Sequence, residues 1–474
     1  MKTYDLIVLG GGAGGLVTAA GAASFGAKVA LIQDGPLGGD CLWTGCIPSK
    51  SFLHAAKTVY VARQSNIFGM DVSGAVDFSR VKEFVKDAVT RISEHDDPAR
   101  FGKLGIDVYN GLGSFTSPHE IMINEEEKVF GKRIVIATGS RPFIPPIPDL
   151  AQIGFVTNES ILNMDRLPSR LLVIGGGPIG IEFAQGFSRL GTMVTIVEAS
   201  KEILYREDQE IARSLRGTLE SEGIQFMTGA TVKELITASN SKKAIISQDG
   251  KLIELEVDDV FLATGRIPNT ESLHLEAAGV LTERGYIKVD SHLRTSKPHI
   301  YAVGDVNGRA LFTHEAGEEG KIAVSNAVLG LKRKVNREAD TWVLFTDPEV
   351  FHLGLTEEEA RRLGNKIEVF KTPLETVDRF VAEGNDKGLV KIITNSKGYI
   401  LGAHAVGQDA GEFMQEVIVT RKWKQKMHKL SSVMHPYPTR SNAVKQTADL
   451  YWRKRLFDGR IQRWIKRYVR WFRG

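Results

Sequence analysis

The 474-residue chain has only two cysteines, Cys41 and Cys46, five residues apart in GGDCLWTGCIPSK. The thiolate is the reactive form of cysteine, and a helix N-terminus or a nearby ammonium group lowers a thiol's pKa. Lys50, four residues after Cys46, supplies such an ammonium group. At this spacing the two sulfurs are within reach of one disulfide, whose bond is about 2 Å long. The plainer alternative is two buried cysteines serving as small apolar side chains. Two cysteines do not make the scattered disulfide framework of small secreted domains.

The elements around this pair repeat. YDLIVLGGGAGG, with Gly10, Gly12 and Gly15, matches LLVIGGGPIG, with Gly175, Gly177 and Gly180, at an offset of 165 residues. Each run follows an apolar strand and opens a helix, and each meets a polar residue 23 positions after its first glycine: Gln33 in the first copy, Glu198 in the second. The first glycine makes a tight turn, the second lets the backbone approach a pyrophosphate, and the third lets helix and strand pack closely. Phosphates then sit at a helix N-terminus. One such run is weak support, but two in register imply two dinucleotide sites.

Composition is that of a globular protein, 42% hydrophobic and 25% charged, and the length suggests about three domains. No apolar run reaches about 18 residues and no leader peptide is visible, so the expected location is the cytoplasm. After Asp340 the pattern changes to strands and hairpins, TWVLFTDPEV, KGLVKIITN and GYILGAHAVG among them, followed by helices. That reads as a separate α+β domain. A strand is expected to run to Asp305, and a helix from His314 to about Leu329. No resident metal site is read from the sequence.

With GGDCLWTGCIPSK, ATGS (137–140), ATGRIPN (263–269), YAVGD (301–305) and FTDPEVFHLGLTEEEA (345–360), the sequence resembles the pyridine nucleotide-disulfide oxidoreductases. These include glutathione reductase, dihydrolipoamide dehydrogenase and mercuric reductase. The resemblance implies an α/β fold with two Rossmann-like dinucleotide-binding domains and a C-terminal α+β dimerisation domain. FAD would occupy 1–150 with 271–340 and NAD would occupy 151–270. Dimerisation would fall to 341–450, leaving a basic tail at 451–474. It also implies that Gly10, Gly12 and Gly15 hold the FAD pyrophosphate, with Gln33 at its ribose position. Gly113, Thr138 and Gly139 would line the adenosine half, Asp305 would bond the ribityl or pyrophosphate region, and Thr313 would approach the isoalloxazine ring. Gly175, Gly177, Gly180 and Gly265 would hold the nicotinamide dinucleotide. Glu198 at its ribose position accepts from a 2′-hydroxyl and repels a 2′-phosphate, favouring NADH over NADPH. Lys50 and Glu182 match an ion pair beside the flavin, and Cys46 and Cys41 would be the inner and outer sulfurs of a redox disulfide.

The C-terminal run departs from the reductases. Their H-P-T-x-S-E pattern is HPYPTRSN here, with Tyr437 at the histidine position and Asn442 at that of the glutamate. A phenol of pKa near 10 replaces poorly an imidazole that titrates near 7. His435 stands two residues upstream, either as a substitute or as a structural residue. Mercuric reductase also lacks the dyad, but its extra C-terminal cysteine pair is missing too. The acceptor is therefore a disulfide or a metal ion, with quinone or another diffusible acceptor, or a redox-sensing adaptor role, as alternatives. A homodimer is expected.

From Tyr451 to Gly474 there are nine Lys/Arg and one acid, Asp458, which leaves the first 450 residues at −4. Ile461, Trp464, Ile465, Tyr468 and Phe472 recur at helical spacing among Arg460, Arg463, Lys466, Arg467, Arg470 and Arg473. Such a helix suits an anionic membrane surface at the inner face of the membrane, or packing on the dimer with a solvated arginine face. The acidic body, which carries no recognition motif, argues against nucleic acid.

Overall fold

A computed structural model describes residues 1–238, 241–336, 340–457 and 460–473. The chain forms two compact units, one of residues 1–175, 189–194 and 232–336, the other of residues 176–188, 195–231 and 337–474.

The first unit is built on a seven-stranded sheet. Lys2–Leu9 is its centre because YDLIVL is apolar enough to be buried on both faces, as parallel strands require. It pairs in parallel with Val29–Gln33 on one side and Glu127–Ile136 on the other, and Ile106–Asn110 extends the sheet beyond Val29–Gln33. Ile300–Ala302 adds to Glu127–Ile136 in parallel. The helices Ala13–Ser24 and Thr313–Leu329 belong to the same unit, and Leu16, Ala19, Ile322 and Ala323 share a core with Leu6, Val8 and Leu31. The strand expected to reach Asp305 stops at Ala302. Gly304 takes φ +72° and turns the chain into a 3-10 turn, Gly304–Asn307, that carries Asp305. The strand Arg170–Ile174, which leads into the second glycine run, pairs in parallel with Asp259–Leu262.

In the second unit, residues 195–198 of the strand Met193–Glu198 pair in parallel with Gln225–Thr228. Its larger part is a five-stranded antiparallel sheet in the order Thr341–Leu344, Glu349–Gly354, Ile400–Gly407, Leu389–Asn395, Ile367–Pro373. Side chains alternate between its faces. One face turns Phe351, Leu353, Ala403, Ala405, Val390 and Ile392 into a core shared with Val444 and Tyr451 of the helix Asn442–Phe457. Across the other face the register places Trp342, His352, His404, Lys391 and Lys371 side by side, one from each strand. The acids around the start of the helix Gln209–Ser221 meet this row: Glu207 bonds His352, Asp208 bonds Lys391, and Glu210 pairs with Lys371.

The basic C-terminal stretch is helical over Arg460–Arg473; Asp458, Gly459 and Gly474 lie outside the described residues, as do the side chains of Arg460 and Ile461. Trp464, Tyr468 and Phe472 stack at one-turn intervals and stay exposed. Among the described residues no helix is long and apolar enough to cross a membrane.

Candidate active site

Cys41 and Cys46 sit on two helices, Cys41 within the short Gly39–Trp43 and Cys46 as the first residue of the 18-residue Cys46–Arg63. Positive φ at Gly38 and Gly39 lets the chain turn sharply into the first of them. A Cβ on Gly39 would stand 2.7 Å from Gly12 Cα, so the cysteine loop packs directly on the first glycine run. Both cysteines are half-buried thiols.

The two thiols are not equivalent. Cys46 is lowered to about 6, chiefly by a hydrogen bond from Cys41, with help from the Thr313 hydroxyl and the charge of Lys50, against the opposing effect of burial. The Thr313 Oγ1 lies 3.3 Å from Cys46 Sγ. A place at a helix start works in the same direction, since the N-terminal end of a helix favours an anion. Cys41 moves the opposite way, pushed up by its bond to Cys46 and by burial. Their mutual hydrogen bond therefore favours Cys46 over Cys41 as the thiolate.

Behind the cysteines lies a polar network that the sequence reading missed. Arg266, whose side chain is only 9% exposed, pairs with Asp40 at 3.0 Å and donates to Ser140 Oγ at 2.7 Å and to Ser140 O at 2.9 Å. Ser140 Oγ in turn donates to Asp305 Oδ2 at 2.6 Å. Burial raises the Asp305 pKa, against the effects of Ser140 and Arg266. Arg266 and Ser140 belong to the two ATG-containing motifs, and a charge inside an otherwise apolar turn was the available signal. Thr138 and Asn269 lock the same motifs together, Thr138 Oγ1 donating to Asn269 O at 2.8 Å and Asn269 Nδ2 to Thr138 O at 2.9 Å.

The glycine runs are shaped alike. Gly10 and Gly175 take φ +105° and +112°, and a Cβ on either would strike a carbonyl at 2.3 Å, Ala137 O in the first and Ala263 O in the second. In the first copy Gly11 N donates to Gln33 Oε1 at 2.5 Å; in the second Gly176 N donates to Glu198 Oε2 at 2.7 Å. Gln33 Nε2 also donates to Asp34 O, so both ends of that amide are engaged by the loop itself. Glu198 additionally accepts from Ser200 N at 2.7 Å. The helix Ala13–Ser24 starts at Gly12 with no side-chain cap, which leaves its first amides available to a pyrophosphate. These features fit a dinucleotide such as FAD on the first run. Gly15 lacks a side chain because its Cβ would lie 1.9 Å from Gly10 O. Gly113 is a packing glycine, its missing Cβ facing Leu9, Ile32 and Ile121. Positions 139, 177 and 265 have open space where a Cβ would be.

Lys50, whose Nζ is 3.3 Å from Ser49 Oγ, lies in the first unit; Glu182, which accepts from Phe345 N at 2.8 Å, lies in the second. Also in the second unit, Tyr437 is 73% exposed and donates its hydroxyl to Asp378 Oδ2 at 2.6 Å, which raises its pKa. His435 is tied down elsewhere: its side chain is 6% exposed and Nε2 meets both Glu416 oxygens at 3.0 Å. Asn442 Oδ1 accepts from Thr439 N at 3.0 Å.

A glycine turn packed against a cysteine pair at a helix start is the arrangement of a nucleotide-linked dithiol oxidoreductase. The chain belongs to the pyridine nucleotide-disulphide oxidoreductase family, whose model matches residues 4–320, and residues 341–448 match the family's dimerisation domain. It is 33% identical to a mercuric reductase of Bacillus cereus over 93% of this chain and 70% of the relative. It is 35% identical to a dihydrolipoyl dehydrogenase of Thermus scotoductus over 95% and 97%. The Cu(II) complex of the HOCl-induced flavoprotein disulfide reductase RclA from Escherichia coli superposes with a TM-score of 0.85 at 29% identity, over 95% of this chain and all of that one. The protein is therefore an FAD-dependent oxidoreductase that uses a pyridine nucleotide, with the expected α/β architecture and a dimerisation domain that supports a homodimer.

Proposed function

We propose that the enzyme passes electrons from NADH, by way of FAD and the Cys41–Cys46 pair, to a metal ion held by the two sulfurs, with small disulfides as poorer acceptors. FAD, held by the first glycine run, would supply the two-electron chemistry that links the nicotinamide to the disulfide. The observation that carries the reading is the thiol pair itself: Cys46 opens a helix and its Sγ lies 3.3 Å from Thr313 Oγ1, a setting that favours a thiolate, and thiolates select soft metal ions. A metal acceptor needs no proton from position 437, where Tyr437 is a poor acid–base group. Mercuric reductases among the relatives and the Cu(II) complex of RclA support the same acceptor class. Assays of NADH oxidation with Hg(II) or Cu(II) test it. Cys41→Ser is expected to abolish metal-dependent turnover; full retention would favour a quinone-type acceptor, with the cysteines only storing electrons.

In this reading FAD lies on 1–150 and 271–340, held by Gly10, Gly12 and Gly15 and by the backbone of Gly113, Thr138 and Gly139, with Asp305 and Thr313 toward its reactive end and Gln33 shaping the turn. NAD lies on 151–270, held by Gly175, Gly177, Gly180 and Gly265. Lys50 lies toward the flavin, and residues 341–450 form the homodimer.

NADH is the expected donor because the Glu198 carboxylate, held by two backbone amides, faces the ribose position and repels a 2′-phosphate. Its kcat/KM should exceed that of NADPH by at least about tenfold, or about 1.4 kcal/mol. Glu198→Ala should narrow the gap, and a clear wild-type advantage for NADPH would overturn the assignment.

The tail supports association of this cytoplasmic enzyme with an anionic membrane. Its stacked rings are exposed, and among the described residues Arg463, Lys466, Arg467, Arg470 and Arg473 form no ion pair. Each basic side chain near such a surface is worth about 1 kcal/mol. Deleting 458–474 should lower co-sedimentation with phosphatidylserine vesicles by at least ~10²-fold at low salt. Equal binding by both forms would favour packing of the tail on the dimer.

A further inference from the structure

We propose that Glu207, His352 and His404, in the second unit and apart from the cysteines, form a buried binding site for a zinc ion. One ligating atom of each lies within 4.8 Å of the other two, and all three residues are buried. The histidines are direct cross-strand neighbours, and Glu207 reaches them from the segment before the helix Gln209–Ser221.

The hydrogen bonds decide which nitrogens are free to ligate. His352 Nε2 is 2.8 Å from Gly354 O and His404 Nε2 is 3.0 Å from Leu355 O. A carbonyl only accepts, so both Nε2 atoms carry the proton, and in the neutral rings both Nδ1 atoms present lone pairs. His352 Nδ1 then faces Glu207 Oε2 at 2.8 Å, two acceptors in contact, which requires a cation between them. A proton would satisfy that edge alone. It would leave His404 Nδ1, fully buried, without a hydrogen-bond partner among the described residues. A metal ion satisfies all three atoms at once.

The surroundings are those of a metal site. Ligating histidines commonly donate their other N–H to a backbone carbonyl, which fixes the ring and its tautomer, and here both do. Glu207 Oε1 accepts from Trp342 Nε1, and the Trp342 ring stacks on His352 at 3.6 Å, which holds both ligands in place. The next cation in the row, Lys391, is matched by Asp208, Glu210 and Glu357. Two imidazoles and one carboxylate, with a fourth position for water, make a common zinc set with bonds of about 2.0–2.2 Å. Tetrahedral geometry at those lengths separates the ligand atoms by roughly 3.3 Å, so the 2.8 Å edge opens by about half an ångström.

The test uses full-length holoenzyme carrying Cys41→Ser and Cys46→Ser, so that thiolates cannot hold the metal. After incubation with Zn²⁺ and removal of excess, elemental analysis should find one zinc per chain, with a rise in Tm. Adding Glu207→Gln, which keeps the side-chain shape, or separately His404→Asn, should reduce retained zinc at least tenfold while FAD content stays at one per chain. Zinc absent from the cysteine-free protein, or retained equally by the Glu207 and His404 variants, would overturn the site. Failure of metal-dependent NADH oxidation would bear only on the acceptor.

Discussion

Replacing Cys46 with Ser should abolish turnover with any acceptor that works through the thiol pair, a loss of at least ~10³-fold, while FAD remains bound. The serine hydroxyl is not ionised at neutral pH and cannot take part in disulfide exchange, whereas Cys46 is held at about 6 by the Cys41 bond, Thr313 and Lys50. The same variant should lose the long-wavelength absorbance that a thiolate against bound oxidised flavin produces after two-electron reduction. The pH dependence gives a second check. The folded pKa lies below the ordinary thiol value, so in the wild type this absorbance should be full at pH 8 and fade as the pH falls through about 6. A fade centred near 9, or an absorbance that survives in Cys46→Ser, would mean that Cys46 is not the inner sulfur.

Restoring a proton-transfer dyad should have the opposite effect on disulfides. Tyr437→His with Asn442→Glu is expected to raise turnover of lipoamide or glutathione disulfide by about 10²–10⁴, the usual worth of one positioned acid–base group. The Tyr437 phenol is engaged with Asp378 and its pKa is raised, which removes it further from the useful range. His435 is a poor substitute because Glu416 and burial hold its ring. Stopped-flow measurement should show the rate of flavin reduction by NADH unchanged in the double variant. A wild type that already reduces either disulfide as fast as a dedicated reductase would refute the argument. His435→Asn would then show whether that histidine is the working group.

Much of this site was legible in the sequence because its signals are local. A glycine that must take positive φ beneath a carbonyl, as Gly10 and Gly175 do, marks its turn without reference to anything distant. Repetition of the whole unit 165 residues later turned a weak motif into the expectation of two sites. The cysteine pair and Glu198 were likewise identified by spacing within single segments, whereas the altered 437 and 442 positions came from the resemblance to the reductases. Tertiary structure alone decided which groups act on one another. Cys46 meets a hydroxyl 267 positions away, and Arg266 ties Asp40 to Ser140 and Asp305, so the order of the two thiol pKa values follows from folding. The Glu207, His352 and His404 cluster carried no sequence signal. Strand alternation tells which face a side chain takes, but only the register of Glu349–Gly354 on Ile400–Gly407 sets His352 opposite His404, and only the packing of Gln209–Ser221 brings a carboxylate to them.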